Sequence, residues 1–229
     1  MNAVVNTSTT IIPDERWSNI KPEVVDHYEL ALTHMWAKTG SVGANVFRDR
    51  GKDRFRTYMY GPIPNQYNDE LGHYEIRGLE LNGTLSPAES LEVFAGTTWL
   101  KVEARGTNGL KQENMPYTPK FQAQAGCSWK FMDNFKLYVD MQHIRDFYQG
   151  TTFRTAGFDL ATLTPVDKLH DITLCNAKLS YGFDERTPRL KDSEVYFAVN
   201  NIFDQDYEYA KGYPMPGVTF FVGLNLKFH

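Results

Sequence analysis

The sequence predicts an all-β fold, an antiparallel transmembrane β-barrel segment of about nine long strands joined alternately by short turns and long loops. Three observations predict it. In KFQAQAGCSWKF (Lys120 to Phe131) every odd position is apolar and every even one polar or tiny, the period-2 pattern of a strand with one oily and one wet face. That stretch is 12 residues long, about twice the usual strand, whereas a tilted strand of about 9–11 residues crosses a bilayer. Finally, no apolar run approaches the ~18 residues of a spanning helix. The mean hydropathy of −0.47 still admits a barrel, whose alternating strands average low.

In chain order, the noisier strands come first: YELALTHMW (Tyr28 to Trp36), SVGANVF (Ser41 to Phe47), GLELNGTL (Gly78 to Leu85) and SLEVFAGTTWL (Ser90 to Leu100). After Lys120 to Phe131 comes FKLYVDM, with Phe135, Leu137, Val139 and Met141 on one face. CNAKLSYGF (Cys175 to Phe183) and EVYFAVNN (Glu194 to Asn201) follow. The last strand, VTFFVGLNLKF, puts Val218, Phe220, Val222, Leu224, Leu226 and Phe228 on one face and Thr219, Gly223, Asn225 and Lys227 on the other.

The connections alternate in length. AKTG (Ala37 to Gly40), SPAE (Ser86 to Glu89) and MDN (Met132 to Asn134) are tight turns of turn-forming residues, and ERTPRLKD (Glu185 to Asp192) is a longer member of the set. Between them lie polar or Gly/Pro-rich stretches expected as long loops: Arg48 to His73, Arg105 to Thr118, Gln149 to Lys168 and Ile202 to Gly217. Long loops at one end and short turns at the other characterise outer-membrane barrels. Aromatics expected near strand ends, such as Trp36, Trp99, Phe131 and Phe135, suit an interfacial girdle. On pattern alone, a soluble antiparallel sheet with one buried face stays open beside the membrane reading.

A net charge of −4 and a pI near 5.9 argue against a nucleic-acid partner, which calls for a basic surface. The amino terminus, MNAVVNTSTTIIPDERW, does not read as a signal peptide, having no charged start followed by an apolar core. Cys127 and Cys175 lack CxxC spacing and fall in apolar strand slots, where a free Cys behaves as a small hydrophobe.

Chemistry-bearing motifs are sparse. His27 and His34 differ by an odd interval and fall on opposite faces of one strand, and no HxxxH, HExxH or Cys/His cluster appears. GTNG (Gly106 to Gly109) reads as a turn rather than a phosphate loop, and no GxSxG is present. Asp140, Arg145 and Asp146 could do acid–base work, but Asp140 sits on a wet strand face. The expectation is no enzyme, no cofactor and no metal. The better binding candidates are DFYQGTTFRTAGFD (Asp146 to Asp159) and YMYGPIPNQYNDELGHY (Tyr58 to Tyr74), whose aromatic and amide side chains suit a bulky chelate. They equally suit loops that only fold over a barrel mouth.

The last third carries a family resemblance. VNNIFDQDYEYAKGYPMPGVTFFVGLNLKF resembles the carboxy-terminal signature of TonB-dependent outer-membrane receptors: Asn200, Asn201, Phe203, Asp204 and Tyr207 match its "NNLFDxxY" segment. Tyr213, Pro216 and Gly217 match the turn before the final strand. IKPEVVDHYELAL (Ile20 to Leu32) and HYEIRGLELNGTLSP (His73 to Pro87) look like two of the family's strand motifs, in the expected order. Two positions depart: Val218 stands where the family commonly carries Arg, and His229 follows Phe228, where the family usually ends on an aromatic.

The resemblance implies a C-terminal barrel portion spanning residues 21–229 behind an N-terminal loop remnant, residues 1–20. Family members add a signal peptide, a TonB box, a plug domain and a barrel of about 22 strands, and the plug is expected to be absent here. The implied function is uptake of a large nutrient, such as a ferric siderophore or cobalamin, in the outer membrane, given an upstream signal peptide. The implied partners are outer-membrane lipid, the remaining barrel and plug, TonB through that plug alone, and the assembly machinery, which reads the Val218-to-Phe228 strand. Nucleic acid is not among them. Strand count points the same way, because an odd number of antiparallel strands closes only through a parallel pair. An open sheet in lipid leaves unpaired backbone groups costing several kcal/mol each. A self-contained small outer-membrane barrel or pore and a soluble β-rich binding protein are the alternatives.

Overall fold

Period-2 alternation carries these segments into one meandering sheet. The structure, a computed structural model, describes residues 22–37, 39–60, 65–106, 111–112, 114–115, 117–150, 166–183 and 193–227. Its strands are β1 (Val24–Trp36), β2 (Gly40–Tyr60), β3 (Asn65–Ala88), β4 (Leu91–Gly106), β5 (Lys111–Gln112), β6 (Phe121–Met132), β7 (Phe135–Arg145), β8 (Tyr148–Gly150), β9 (Val166–Lys168), β10 (Ile172–Gly182), β11 (Glu194–Asn200) and β12 (Thr219–Asn225). The main sheet runs β1-β2-β3-β4-β6-β7-β10-β11-β12, every pair antiparallel. It does not close: β1 and β12 are its edges. β5 folds back on β4, and β8 pairs β9 in a separate ribbon.

Register turns the alternation into two faces. Val42, Gly83, Ala95, Ala125, Met141 and Cys175 form one cross-strand row. Two rows towards the loop end lie Leu30, Val46, Leu79, Trp99 and Phe121. The apolar side chains on this face stay exposed, Leu32 at 70% and Val222 at 79%. They cover no core, so this is the outer, lipid-facing surface of a barrel wall.

The polar border of the band crosses the register obliquely. On β2, β3 and β4 it is marked by the row Arg48, Arg77 and Lys101. On β7 it has moved to Arg145, in the row of Phe121, and on β10 to Thr173, one row further. A flat membrane boundary cuts tilted strands in this way. At the short-turn end the rings of Trp129, Phe131, Phe135, Tyr181 and Phe183 touch in sequence, with centroids 5.0–5.8 Å apart. They form an aromatic girdle.

Leu169 apart, the buried apolar side chains among the described residues gather on the opposite face. Tyr74, Val102, Ala104 and Met115 form one cluster, and Ile144, Ile172 and Leu174 another. Both lie near the loop end, where connecting segments fold back over the luminal face. Lower down, Phe47, Phe94 and Tyr196 lie across Gly78, Gly126 and Gly223 of neighbouring strands, so tightly that a Cβ on any of these glycines would strike the ring.

One expected loop is not a loop. Arg48 to His73 was expected as a long connection, but β2 and β3 pair through Lys52↔His73 and Arg54↔Leu71 out to Tyr60↔Asn65. Asp53, at φ 62°, is accommodated within the hairpin. Beyond the apolar band the outer face no longer meets lipid, so the hydrophobic alternation in the sequence ends while backbone pairing continues. For the same reason Trp99, expected near a strand end, lies inside β4, which runs on to Gly106. Ranges 1–21 and 151–165, the turn residues 184–192 and Phe228 lie outside the described residues.

Candidate functional site

The luminal face is polar at mid-height. Asn45 donates to Glu80 Oε2 at 3.2 Å, Asn176 donates to Asp140 Oδ2 at 2.9 Å, and Lys178 pairs with Glu194 at 2.9 Å. A cavity of about 270 Å³ here is bordered by Glu80, Asn82, Thr98, Gln122, Gln124 and Gln142. On the first strand both ring nitrogens of His27 face carboxylates, Asp49 at 2.5 Å and Glu29 at 3.2 Å. His34, on the other face as its odd interval requires, sets its ring edge-on to Trp36 at 4.8 Å. Asp140 sits in the wet row, bonded to an amide, with no nucleophile beside it in the described contacts.

At the loop end the segment between β11 and β12 is held by its own side chains. Asn201, 3% exposed and at φ 51°, adopts the left-handed conformation that Asn tolerates better than most residues. Its Nδ2 donates to the carbonyls of Gln205 at 2.9 Å and Pro216 at 3.4 Å, and its Oδ1 accepts the Gln205 amide at 3.0 Å. One buried amide thereby ties both arms of the loop. Asp204, also left-handed at φ 49°, accepts the Val218 amide at 2.8 Å. A Cβ at Gly217 would press on Asp204 Oδ1, the atom that accepts the Val218 amide.

This pinned loop delivers two groups to the lumen. Tyr207 packs on the Ile144, Ile172 and Leu174 cluster. Gln205 pairs with the backbone of β10, donating to the Asp171 carbonyl at 2.8 Å and accepting the Thr173 amide at 2.5 Å. Phe203 and Tyr213, 61% and 74% exposed, stand outside this packing, and Asn200 is the last residue of β11. Of the sequence candidates, the structure thus groups Asn201, Asp204, Tyr207, Pro216 and Gly217. The final-strand residues Phe220, Val222 and Leu224 lie on the outer face of edge strand β12, opposite Val199, Phe197 and Val195.

Around this loop the mouth of the lumen is aromatic and cationic. Tyr117 and Phe147 meet at 6.5 Å, Tyr207 and Tyr209 at 5.5 Å, and the Lys120 ammonium lies 5.6 Å from the Tyr148 ring. Burial pushes the Tyr209 phenol up. Lys168 Nζ meets Asp146 Oδ1 at 2.7 Å, which holds the Asp146 carboxyl below its ordinary range and raises Lys168. On the far side, Tyr74 donates to Glu23 at 2.5 Å and carries the Arg54 guanidinium 5.7 Å from its ring. Asp146 to Gly150, the described start of one expected binding segment, contributes to this mouth; residues 151–159 of that segment lie outside the described residues, and of Tyr58 to Tyr74 residues 58–60 belong to β2 and 65–74 to β3, with 61–64 outside the described residues.

Sequence reasoning missed Gln205, whose single side-chain amide has no periodicity to betray it. Ser193 was also missed: 1% exposed, it exchanges two bonds with the Lys227 backbone, at 2.9 and 3.2 Å.

Such a wall, one face lipid-exposed and the other roofed by its own loops, has a match in a family model. The model of the TonB dependent receptor-like β-barrel matches residues 4–202. The chain belongs to the TonB-dependent receptor β-barrel family. It is a family of transport receptors. Among solved structures, this receptor barrel resembles the ferric citrate transporter FecA, with a TM-score of 0.68 and 19% identity over 93% of this chain and 32% of that one. It also resembles the FrpB iron transporter from Neisseria meningitidis (0.67, 16%, 92% and 32%) and the copper transporter OprC (0.66, 15%, 93% and 32%). At these identities the likeness is one of fold. The chain spans about a third of the length of each of these structures. The pinned loop beyond residue 202 lies past the matched stretch.

Proposed function

We propose that this chain forms the C-terminal barrel portion of an outer-membrane receptor for TonB-dependent uptake of a large nutrient, a ferric siderophore, cobalamin or a chelate of similar size. The observation that carries the reading is the sheet itself, a lipid-facing band ending in two unpaired edge strands, β1 and β12. Backbone groups on such edges have no partner in hydrocarbon, so further strands must pair with them. The remaining barrel and plug supply those strands and the gate, and TonB acts through the plug. The chain alone then performs no gated transport and no catalysis. Its luminal mouth, with Tyr117, Tyr148, Tyr209, Lys120 and Lys168, suits a bulky anionic chelate by stacking and charge.

Within this reading, Asn201, Asp204, Tyr207, Pro216 and Gly217 shape the last loop. Phe220, Val222 and Leu224, on the outer face of β12, belong with Val218, Leu226 and Phe228 to the segment read by the assembly machinery. The test is expression behind a signal peptide, with and without an N-terminal receptor half. Protease-resistant, heat-modifiable protein only on co-expression is the expected result. The same species from this chain alone would instead assign a self-closing small barrel.

A further inference from the structure

Four large rings on the luminal face each lie on a glycine of the strand beside them. Phe47 covers Gly78 and Tyr74 covers Gly51 between β2 and β3, Phe94 covers Gly126 between β4 and β6, and Tyr196 covers Gly223 between β11 and β12. In every case ring and glycine are direct register partners, and a Cβ on the glycine would meet the ring. A glycine inside a strand marks a place where another group comes close, and a ring laid over it from the next strand pins the register of the pair.

The distribution of these pairs is as informative as their geometry. β1 and β2, β3 and β4, and β6 and β7 are closed by tight turns, at Trp36↔Gly40, Ala88↔Leu91 and Met132↔Phe135. A tight turn fixes register by itself, and among the described residues no glycine in these three strand pairs is covered by a ring of its partner strand. The pairs that carry the rings lack such a turn beside the apolar band. β4 reaches β6 through residues 107–120 and β11 reaches β12 through residues 201–218, while β2 and β3 turn only beyond Tyr60↔Asn65. β7 and β10, also joined by a long connection, have instead the Asn176 amide on Asp140, its direct partner.

Lipid does not supply the missing constraint. A slip by one residue turns every side chain to the other face, which the apolar band forbids. A slip by two keeps each side chain on its own face and leaves the alternation intact. In β2 and β3 it would set Phe47 against Ile76 or Glu80, in β4 and β6 Phe94 against Gln124 or Ser128, and in β11 and β12 Tyr196 against Phe221 or Asn225. Each of those residues has a Cβ where the ring now lies, and each glycine would lose its cover. We infer that the four luminal ring-on-glycine pairs select the register of strands that loops, rather than tight turns, connect. Register sets the shear of a barrel, and shear its tilt and diameter. The pairs therefore also set the offset between the open edges β1 and β12, whatever the lumen transports.

The experiment reads register as disulfide formation on the outer face. It uses the chain assembled in the outer membrane, alone or with an N-terminal receptor half, whichever the test above yields. Directly paired residues lie about 4.5–5.5 Å apart at Cα and oxidise to a disulfide, whereas diagonal ones, about 7–8 Å apart, do not. With Cys127→Ser and Cys175→Ser as background, Ala95→Cys plus Ala125→Cys reports the native register, and Ala95→Cys plus Ala123→Cys a slip by two. The background chain is expected to bond only in the native pair. Phe94→Leu should raise the slipped product about fivefold, whereas Tyr138→Leu, which removes a luminal ring lying on no glycine, leaves it unchanged. At β11 and β12 the ring variant is Tyr196→Leu, with Phe197→Cys plus Val222→Cys for the native register and Phe197→Cys plus Leu224→Cys for the slipped one. Slip in the background chain, native product alone in both ring variants, or equal slip in Tyr138→Leu overturns the inference. So does failure of both ring variants to assemble, which makes the rings general stabilisers.

Discussion

The side-chain amide of Gln205 pairs with β10 as a neighbouring strand would, its Oε1 accepting the Thr173 amide at 2.5 Å while its Nε2 donates to the Asp171 carbonyl at 2.8 Å. β11 has already turned away at Asn201, leaving these β10 groups without strand partners. One side chain from the loop finishes the ladder. Gln205→Glu retains an acceptor for Thr173 but sets a carboxylate against the Asp171 carbonyl. It is expected to cost about 1–3 kcal/mol, read as a lower temperature for loss of the compact band on unheated gels. A wild-type transition would remove the pairing role.

Asn201 supports a stronger prediction. Asn201→Ala deletes three side-chain bonds, two of them to the other residue's backbone at Gln205, and puts an alanine at φ 51°. The combined loss is expected to reach about 3 kcal/mol. The loop should then become cleavable between Ile202 and Gly217 before the sheet unfolds. Limited proteolysis with mass mapping checks the order; simultaneous loss of loop and sheet would refute it.

pH dependence follows from Asp146 and Lys168. The Asp146 carboxyl is held low by the Lys168 ammonium, so its contribution is full above about pH 4 and fades as pH falls through its folded value. Lys168 is raised by the same contact, so its contribution is full below about pH 10 and is lost as pH rises through its folded value. Lys168 is 47% exposed, and solvent screening limits the effect to about 1 kcal/mol or less. Protection of the β8–β9 ribbon against hydrogen exchange, after division by the intrinsic rate at each pH, should therefore be greatest between those limits and fall with acid or salt. Lys168→Gln should flatten the acid limb; a limb that persists would assign it to other groups.

Adjacent residues on β6 test the two faces. Ala125 belongs to the outer band and Gln124 to the luminal row. Ala125→Arg is expected to cost about 2–4 kcal/mol in bilayer folding, as for lipid-facing charges at mid-depth. Gln124→Arg should be near neutral. Yields of folded protein in vesicles decide it, and equal penalties would mean that the faces are wrongly assigned.

The main-sheet strands were legible because lipid imposes alternation on every residue it touches, as in Lys120 to Phe131. The hairpin from Arg48 to His73 was not. Past the apolar band its sequence loses the alternation that lipid imposes, so nothing in its polarity distinguishes a paired strand from a loop. The C-terminal motif was visible as residue types, Asn201, Asp204 and Gly217, but its meaning lies in contacts between positions 4–15 residues apart.

The sequence by itself determined the face each strand residue takes, because polarity and backbone period are local properties. It also located the tight connections between β1 and β2, β3 and β4, and β6 and β7. Only the tertiary structure decided which rows align across strands. That alignment set three cations side by side above Trp99, gave Gln205 its place beside Thr173, and left β1 and β12 as open edges. Register is the reason: it is a relation between strands, held by backbone hydrogen bonds that no single stretch of sequence contains.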